Sequence, residues 1–217
     1  MITTQELVAF LRNSSNEKFS FAQNLKIVYR PYICPFDDLL NNLPEGQTVF
    51  DFGCGGGMFL QLVAEYKKPK ALGGIEISEA LIETAKTLLR KYETNMDVKL
   101  STYNGRLIPD LIANYDYIFM IDVLHHIPKD LQISHLESLF RLMKPGAKLI
   151  LKDINGGSVL VLFNKLHDII VVREVGSEMN PRKLKHALEN IGFETSEINH
   201  KRLYVYPHFT LTCEKAI

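Results

Sequence analysis

The sequence predicts an α/β fold: a doubly wound, seven-stranded, mostly parallel sheet with an antiparallel strand late in the chain, behind an N-terminal helical cap. Three observations carry that prediction. From Gln47 onward, short apolar runs alternate with stretches of helical periodicity, as they do when helices cover both faces of a parallel sheet. The first apolar run ends in a loop with four glycines and passes straight into a helical pattern. The last two strand-like segments are close together in sequence, and a parallel pair needs a long crossover, so they pair antiparallel.

Residues 1–43 read as the cap, helices and loops rich in aromatics (Phe10, Phe19, Phe21, Tyr29, Tyr32, Phe36), and residues 44–217 as the core of the same single domain. The turn Pro44-Glu45-Gly46 launches a first strand at Thr48 to Asp51, followed by a helix from Met58 to Tyr66. A second strand covers Ala71 to Ile75. Ser78 then caps a helix whose apolar face is Leu81, Ile82, Ala85, Leu88 and Leu89. Val98 to Ser101 and Tyr117 to Ile121 give the third and fourth strands. A helix from Leu131 to Met143 stops at the turn Lys144-Pro145-Gly146, ahead of a fifth strand at Lys148 to Leu151. Asn180-Pro181 opens the last helix and Gly192 closes it, leaving strands at Phe193 to Ile198 and His208 to Cys213.

Composition excludes several classes. With 217 residues, 46% apolar and 23% charged, the chain has what an ordinary globular domain needs. The 25 basic and 25 acidic residues cancel, so no global electrostatic footprint for nucleic acid is present. Cys34, Cys54 and Cys213 are odd in number and far apart, which fits neither a disulfide framework nor a Cys-x-x-Cys metal site. The N-terminus lacks the layout of a signal peptide. The longest apolar stretch, Val159 to Val172, is broken by Asn164, Lys165, His167 and Asp168 and is too short to span a bilayer. A cytoplasmic protein is expected, with peripheral membrane contact through that stretch left open.

The chemistry is concentrated in Val49-Phe50-Asp51-Phe52-Gly53-Cys54-Gly55-Gly56-Gly57. Glycines here let the backbone turn sharply and let a ligand approach where a Cβ would stand. A dinucleotide loop, G-x-G-x-x-G, would place its third glycine at position 58, which is Met58. A pyrophosphate also wants bare helix N–H groups, whereas Asp51 beside the loop suits a cationic amino-acid ligand.

Asp51-x-Gly53-x-Gly55-x-Gly57 resembles the first motif of class I S-adenosylmethionine-dependent methyltransferases of the small-molecule type, a Rossmann-like fold. Glu76 in Gly73-Gly74-Ile75-Glu76-Ile77-Ser78 is similar to the family's acid at the end of the second strand. Tyr115 to Pro128, with Asp122 and the pair His125-His126, resembles the fourth motif, and Leu142 to Ile150 matches the turn before strand five. The likeness covers about Thr48 to Asp153. It implies that Asp51, Gly53, Cys54, Gly55 and Gly57 cradle the cofactor, that Glu76 accepts both ribose hydroxyls, and that Ile77 packs on adenine. Asn104, with Gly105, takes the place where the family often has an acid that meets the adenine amino group, a departure that an amide oxygen can fill. Asp122 is expected on the sulfonium side.

The resemblance implies in-line methyl displacement with S-adenosyl-L-homocysteine as product, for which orientation supplies up to roughly 7–11 kcal/mol. A hydroxyl nucleophile also wants a base, and His125 or His126 is the expected one, ahead of His167 and Asp153. A metal-assisted route through Asp122, Asp153 and Asn155 is not adopted, because the spacing is loose. The N-terminal aromatics, Tyr29-Arg30-Pro31-Tyr32 and the Val159 to Val172 stretch are placed to roof the site, favouring an apolar or aromatic small molecule. The alternatives are methylation of RNA or protein, or a cofactor-binding protein without catalysis. Asp122-Val123-Leu124-His125 stands where base and amide methylases of this fold usually carry an Asn-Pro-Pro-Tyr-type sequence.

Overall fold

The computed structural model describes residues 1–14, 28–158, 160–161 and 176–216. Helix α1 (Thr4–Asn13) is started by a reciprocal capping box: the Glu6 backbone N–H donates to Thr3 Oγ1, and Glu6 Oε2 accepts from the Thr3 backbone. Residues 28–33 are helical, and α2 (Phe36–Asn41) follows. Leu7, Leu11, Phe36 and Leu40 are buried together with Val49 and Phe119, which seats these N-terminal helices on one face of the sheet. Phe19, Phe21, His167 and, apart from Leu160 and Val161, the stretch Val159 to Val172 lie outside the described residues.

The core then alternates as expected: β1 (Thr48–Phe52), α3 (Met58–Lys67), β2 (Ala71–Glu76), α4 (Glu79–Leu89), β3 (Asp97–Thr102), β4 (Tyr117–Ile121), α5 (Gln132–Leu142), β5 (Lys148–Ile154), α6 (Pro181–Ile191), β6 (Phe193–Thr195), β7 (Asn199–Leu203) and β8 (Tyr206–Lys215). The spatial order is β3-β2-β1-β4-β5-β8-β6, with β7 added against β8. The first five strands are parallel and β8 runs antiparallel to β5. The order therefore reverses between β1 and β4, where open α/β sheets open a crevice at their C-terminal ends. Among the described residues, no helix is long and apolar enough to cross a membrane.

Three departures from the expectation are instructive. The tail holds three strands rather than two, because Asn199-His200-Lys201-Arg202 pairs with β8 although it has no apolar alternation to announce it. Strand β5 continues three residues beyond Leu151. Its Lys152 and Asp153 are charged, which ends an apolar run in sequence, yet they are 0% and 2% exposed. On α4 the buried residues are Ile82, Ala85, Leu88 and Leu89, whereas Leu81 is 38% exposed. It stands one position off that stripe and faces a cleft instead. The expected caps hold: the Asn180 side chain accepts from Arg182 N–H, and Gly192 ends α6 at φ +116°.

Candidate active site

The glycine loop is pinned from behind. The N–H groups of Gly53 and Cys54 both donate to the Ile75 carbonyl at the end of β2, at 2.8 and 3.0 Å. Two glycines then show why this composition is needed. A Cβ on Gly57, at φ +82°, would sit 2.8 Å from the Ala85 Cβ, so this glycine lets α3 and α4 approach. Gly55, at φ +53°, has nothing within 4 Å of its Cβ direction. It is the glycine that faces open space, on a cavity of about 180 Å³ that Asp51, Met58 and Arg30 also line.

Two carboxylates stand beside this loop. Glu76, at the tip of β2, takes the Gly55 N–H on Oε2 at 3.1 Å, and the N–H groups of Ile77 and Ser78 on Oε1 at 2.8 and 3.2 Å. Asp51 is 3% exposed. Burial, and then the neighbouring Glu76 charge, push its carboxyl up to about 8. The Glu76 charge repels a pyrophosphate, and a nearby cation would draw the proton from Asp51. A second cavity, of about 470 Å³, opens beside Glu76 and is walled by Ile77, Leu81, Tyr103, Gly105 and Val123. Ile77 is 65% exposed, an apolar lip suited to a flat ring. The Asn104 Oδ1 accepts from the N–H groups of Arg106 and Leu107, both at 2.9 Å, and so shapes the loop that presents Gly105.

At the other end of the cleft, Asp122 follows β4 with φ +54°, a strained value for a residue with a Cβ. Lys152 Nζ lies 2.6 Å from its Oδ1 and Arg30 Nη2 lies 2.6 Å from its Oδ2. Burial alone would raise this carboxyl, but the Lys152 ammonium and then the Arg30 guanidinium hold it well below the usual carboxylate range. His208, on β8, is 3% exposed, its ring stacked beside that of Tyr206 and close to the Ile33 backbone. Burial, then the Lys152 charge, lower its pKa to about 4, so the ring is neutral at physiological pH.

The structure separates the two adjacent histidines. His125 is 4% exposed; its Nδ1 meets Asp153 Oδ1, and its backbone N–H donates to Asp153 Oδ2 at 3.2 Å. His126 is exposed and lines the larger cavity, its ring centroid 4.0 Å from that of His125. The turn that carries both is clamped by Gln132, whose Nε2 donates to the carbonyls of Leu124, Ile127 and Ser177. Sequence reasoning passed over Gln132, Lys152 and His208. Buried charge at the end of an apolar strand was the available signal for Lys152; a single Gln or His carries none.

The sequence profile described as "Methyltransferase domain" matches residues 26–198. The chain is 27% identical over 119 residues to a ubiquinone biosynthesis O-methyltransferase of Pseudomonas paraeruginosa, covering 54% of this chain and 49% of that one. It is 28% identical over 116 residues to the Coxiella burnetii protein of the same name, covering 51% and 45%. The chain thus spans about half the length of the curated relatives it matches. Among solved structures, magnesium protoporphyrin IX methyltransferase (ChlM) from Synechocystis PCC 6803 with bound S-adenosylhomocysteine superposes with TM-score 0.69 at 18% identity, covering 96% of this chain and 94% of that one. A SAM-dependent methyltransferase from Aquifex aeolicus gives TM-score 0.64 at 20% identity, covering 96% and 98%. The profile match spans most of the chain, and the chain belongs to the methyltransferase-domain family.

Proposed function

We propose that the protein methylates a hydroxyl or amine of a small molecule. The observation that carries this reading is the layout of the cleft. One cavity of about 470 Å³ runs from Glu76 and the apolar lip at Ile77 to Asp122 and His126, a bounded space that suits a cofactor and a small acceptor. The similarity to ubiquinone biosynthesis O-methyltransferases supports it as well. S-adenosylmethionine supplies an electrophilic methyl on a sulfonium. Asp51, Gly53, Cys54, Gly55 and Gly57 hold its amino-acid part, Glu76 the ribose, and Ile77, Asn104 and Gly105 the adenine, with Asp122 on the sulfonium side. His126 is the histidine of the pair presented to the cleft. Asp153 fixes His125 behind it, so His125 acts through position.

The test is to supply methyl-labelled cofactor with four acceptor pools: simple phenols and catechols, small amines, total RNA, and a mixed protein substrate. Label in the phenol or amine pool is the expected outcome. Label in RNA or protein overturns the small-molecule reading, and tight cofactor binding without turnover in any pool favours a non-catalytic binder.

A further inference from the structure

Two loops in the wall of the larger cavity are tied to the first turn of α5. One follows β3 and contributes Tyr103 and Gly105; the other follows β4 and contributes His126, Ile127 and Pro128. His135 is buried, and its Nε2 lies 2.9 Å from the Gly105 carbonyl. Gln132 stands three residues earlier, a neighbour on the same helix face. It too is buried, and it donates to the carbonyls of Leu124 and Ile127 at 2.9 and 3.2 Å. The hydrogen on the His135 ring can be assigned. Its Nδ1 lies 3.0 Å from the Leu131 carbonyl, but that oxygen already accepts from the His135 backbone N–H and from the Ser134 hydroxyl. The Gly105 carbonyl can only accept, so the hydrogen belongs on Nε2. Asn104 thus shapes this loop from within, and His135 fixes it from outside. Gly105 has φ +75°, and Ile77 Cγ2 lies 3.8 Å from where its Cβ would stand, so Gly105 and the exposed Ile77 side chain border the same space.

We propose that His135 is a positioning residue for the nucleobase end of the cofactor cavity. It holds Gly105 at the separation from Ile77 that a flat purine ring requires, while Gln132 fixes the Ile127 loop to the same helix turn. This rests on the placement of adenine at Ile77, Asn104 and Gly105 given above. His135 acts through the Gly105 carbonyl and touches no part of the ligand. A glycine has the widest choice of backbone conformations, and a loop left to choose among them must be ordered when the ligand binds. A carbonyl already fixed by a buried ring removes that cost from binding. The benefit falls on the purine and spares the amino-acid part, which belongs to Asp51 and the loop from Gly53 to Gly57. One turn of α5 thereby sets two loops of the cavity wall at once, although they follow different strands.

The experiment compares S-adenosylhomocysteine with S-ribosylhomocysteine, which keeps the amino-acid and ribose parts and lacks the purine. His135→Leu is expected to bind the first about ten-fold more weakly, the loss of one hydrogen bond, and the second within about two-fold of wild type. His135→Gln, whose amide can donate to the same carbonyl, should recover most of that loss; His135→Asn, too short to reach it, should not. Gln132→Leu should show the same purine-selective weakening. In wild-type protein labelled with ring-¹⁵N histidine, S-adenosylhomocysteine should shift the His135 Nε2 signal and S-ribosylhomocysteine should leave it in place, a measurement that needs no variant to fold. Equal losses for the two ligands, an unchanged His135→Leu, or a His135 signal indifferent to the purine overturns the proposal. Ile77→Ala separates the two levels of the argument. If it weakens S-adenosylhomocysteine and His135→Leu does not, the positioning role alone falls. If it binds both ligands as wild type does, the placement of adenine falls and takes the proposal with it.

Discussion

The glycine-loop end and the Asp122 end of this cleft are held by different forces. The first is built from residues 51–77, one strand–loop–helix–strand stretch, and its shape is fixed by backbone hydrogen bonds: Gly53 and Cys54 to Ile75, Gly55 to Glu76. The second gathers Arg30, Asp122, Lys152 and His208 from four separated segments, and buried charges hold it. A backbone-built site tolerates most side-chain changes but not an added Cβ where glycine is required. A site built from buried charges tolerates almost any change of backbone neighbour but not the loss of one partner, because the remaining charge is left in a poor solvent.

Lys152→Met should have the largest effect on the fold. It strips a fully buried cation from Asp122, and thermal or denaturant unfolding should show a loss of about 3–5 kcal/mol. Adding Asp122→Asn should recover more than about 1 kcal/mol of it in a double-mutant cycle; strict additivity would break the idea that this end is one charge network. Gly55→Val should sharpen the other half of the comparison. Its left-handed backbone gives a penalty of about 1–2 kcal/mol in stability. Affinity for S-adenosylhomocysteine should fall by about 100-fold, roughly 2.7 kcal/mol, because the new side chain enters the space where the ligand belongs. Equal losses in stability and affinity would mean that Gly55 serves the fold alone.

Asp51 gives a pH dependence with a definite sign. Its folded pKa, about 8, lies above the ordinary 3.8. The unliganded protein therefore has this contribution in full below pH 3.8 and loses it as pH rises through about 8. A ligand ammonium placed beside Asp51 reverses the preference, since it favours the carboxylate. Calorimetry should show proton release on S-adenosylhomocysteine binding below pH 8, and affinity rising with pH by up to about ten-fold per unit; Asp51→Asn should flatten both. A smaller effect is expected for Glu76→Ala, about ten-fold in affinity with little change in melting temperature, as its removal frees the N–H groups of Gly55, Ile77 and Ser78 to water.

Much of this was legible in the chain. The alternation of short apolar runs and helical periods placed five parallel strands, and the glycine loop stands where β1 meets α3, with Glu76 at the tip of β2. The polar strand β7 was not legible, because its residues lie half-exposed on an edge and owe their place to the partner strand β8 rather than to a buried face. The two histidines read as equals, and only the fold buries His125 on Asp153 and turns His126 to the cleft.

The sequence by itself thus determined the sheet, the glycine loop and the cofactor, since these follow from local conformational preference and from contacts between residues near each other in the chain. The tertiary structure alone decided which charges are buried, which histidine is reachable, and that Lys152 and His208 stand side by side. A charged or polar residue reads as surface in one dimension. Only a partner brought from a distant segment, as Asp122 is to Lys152, makes its burial affordable, and no local pattern records that partner.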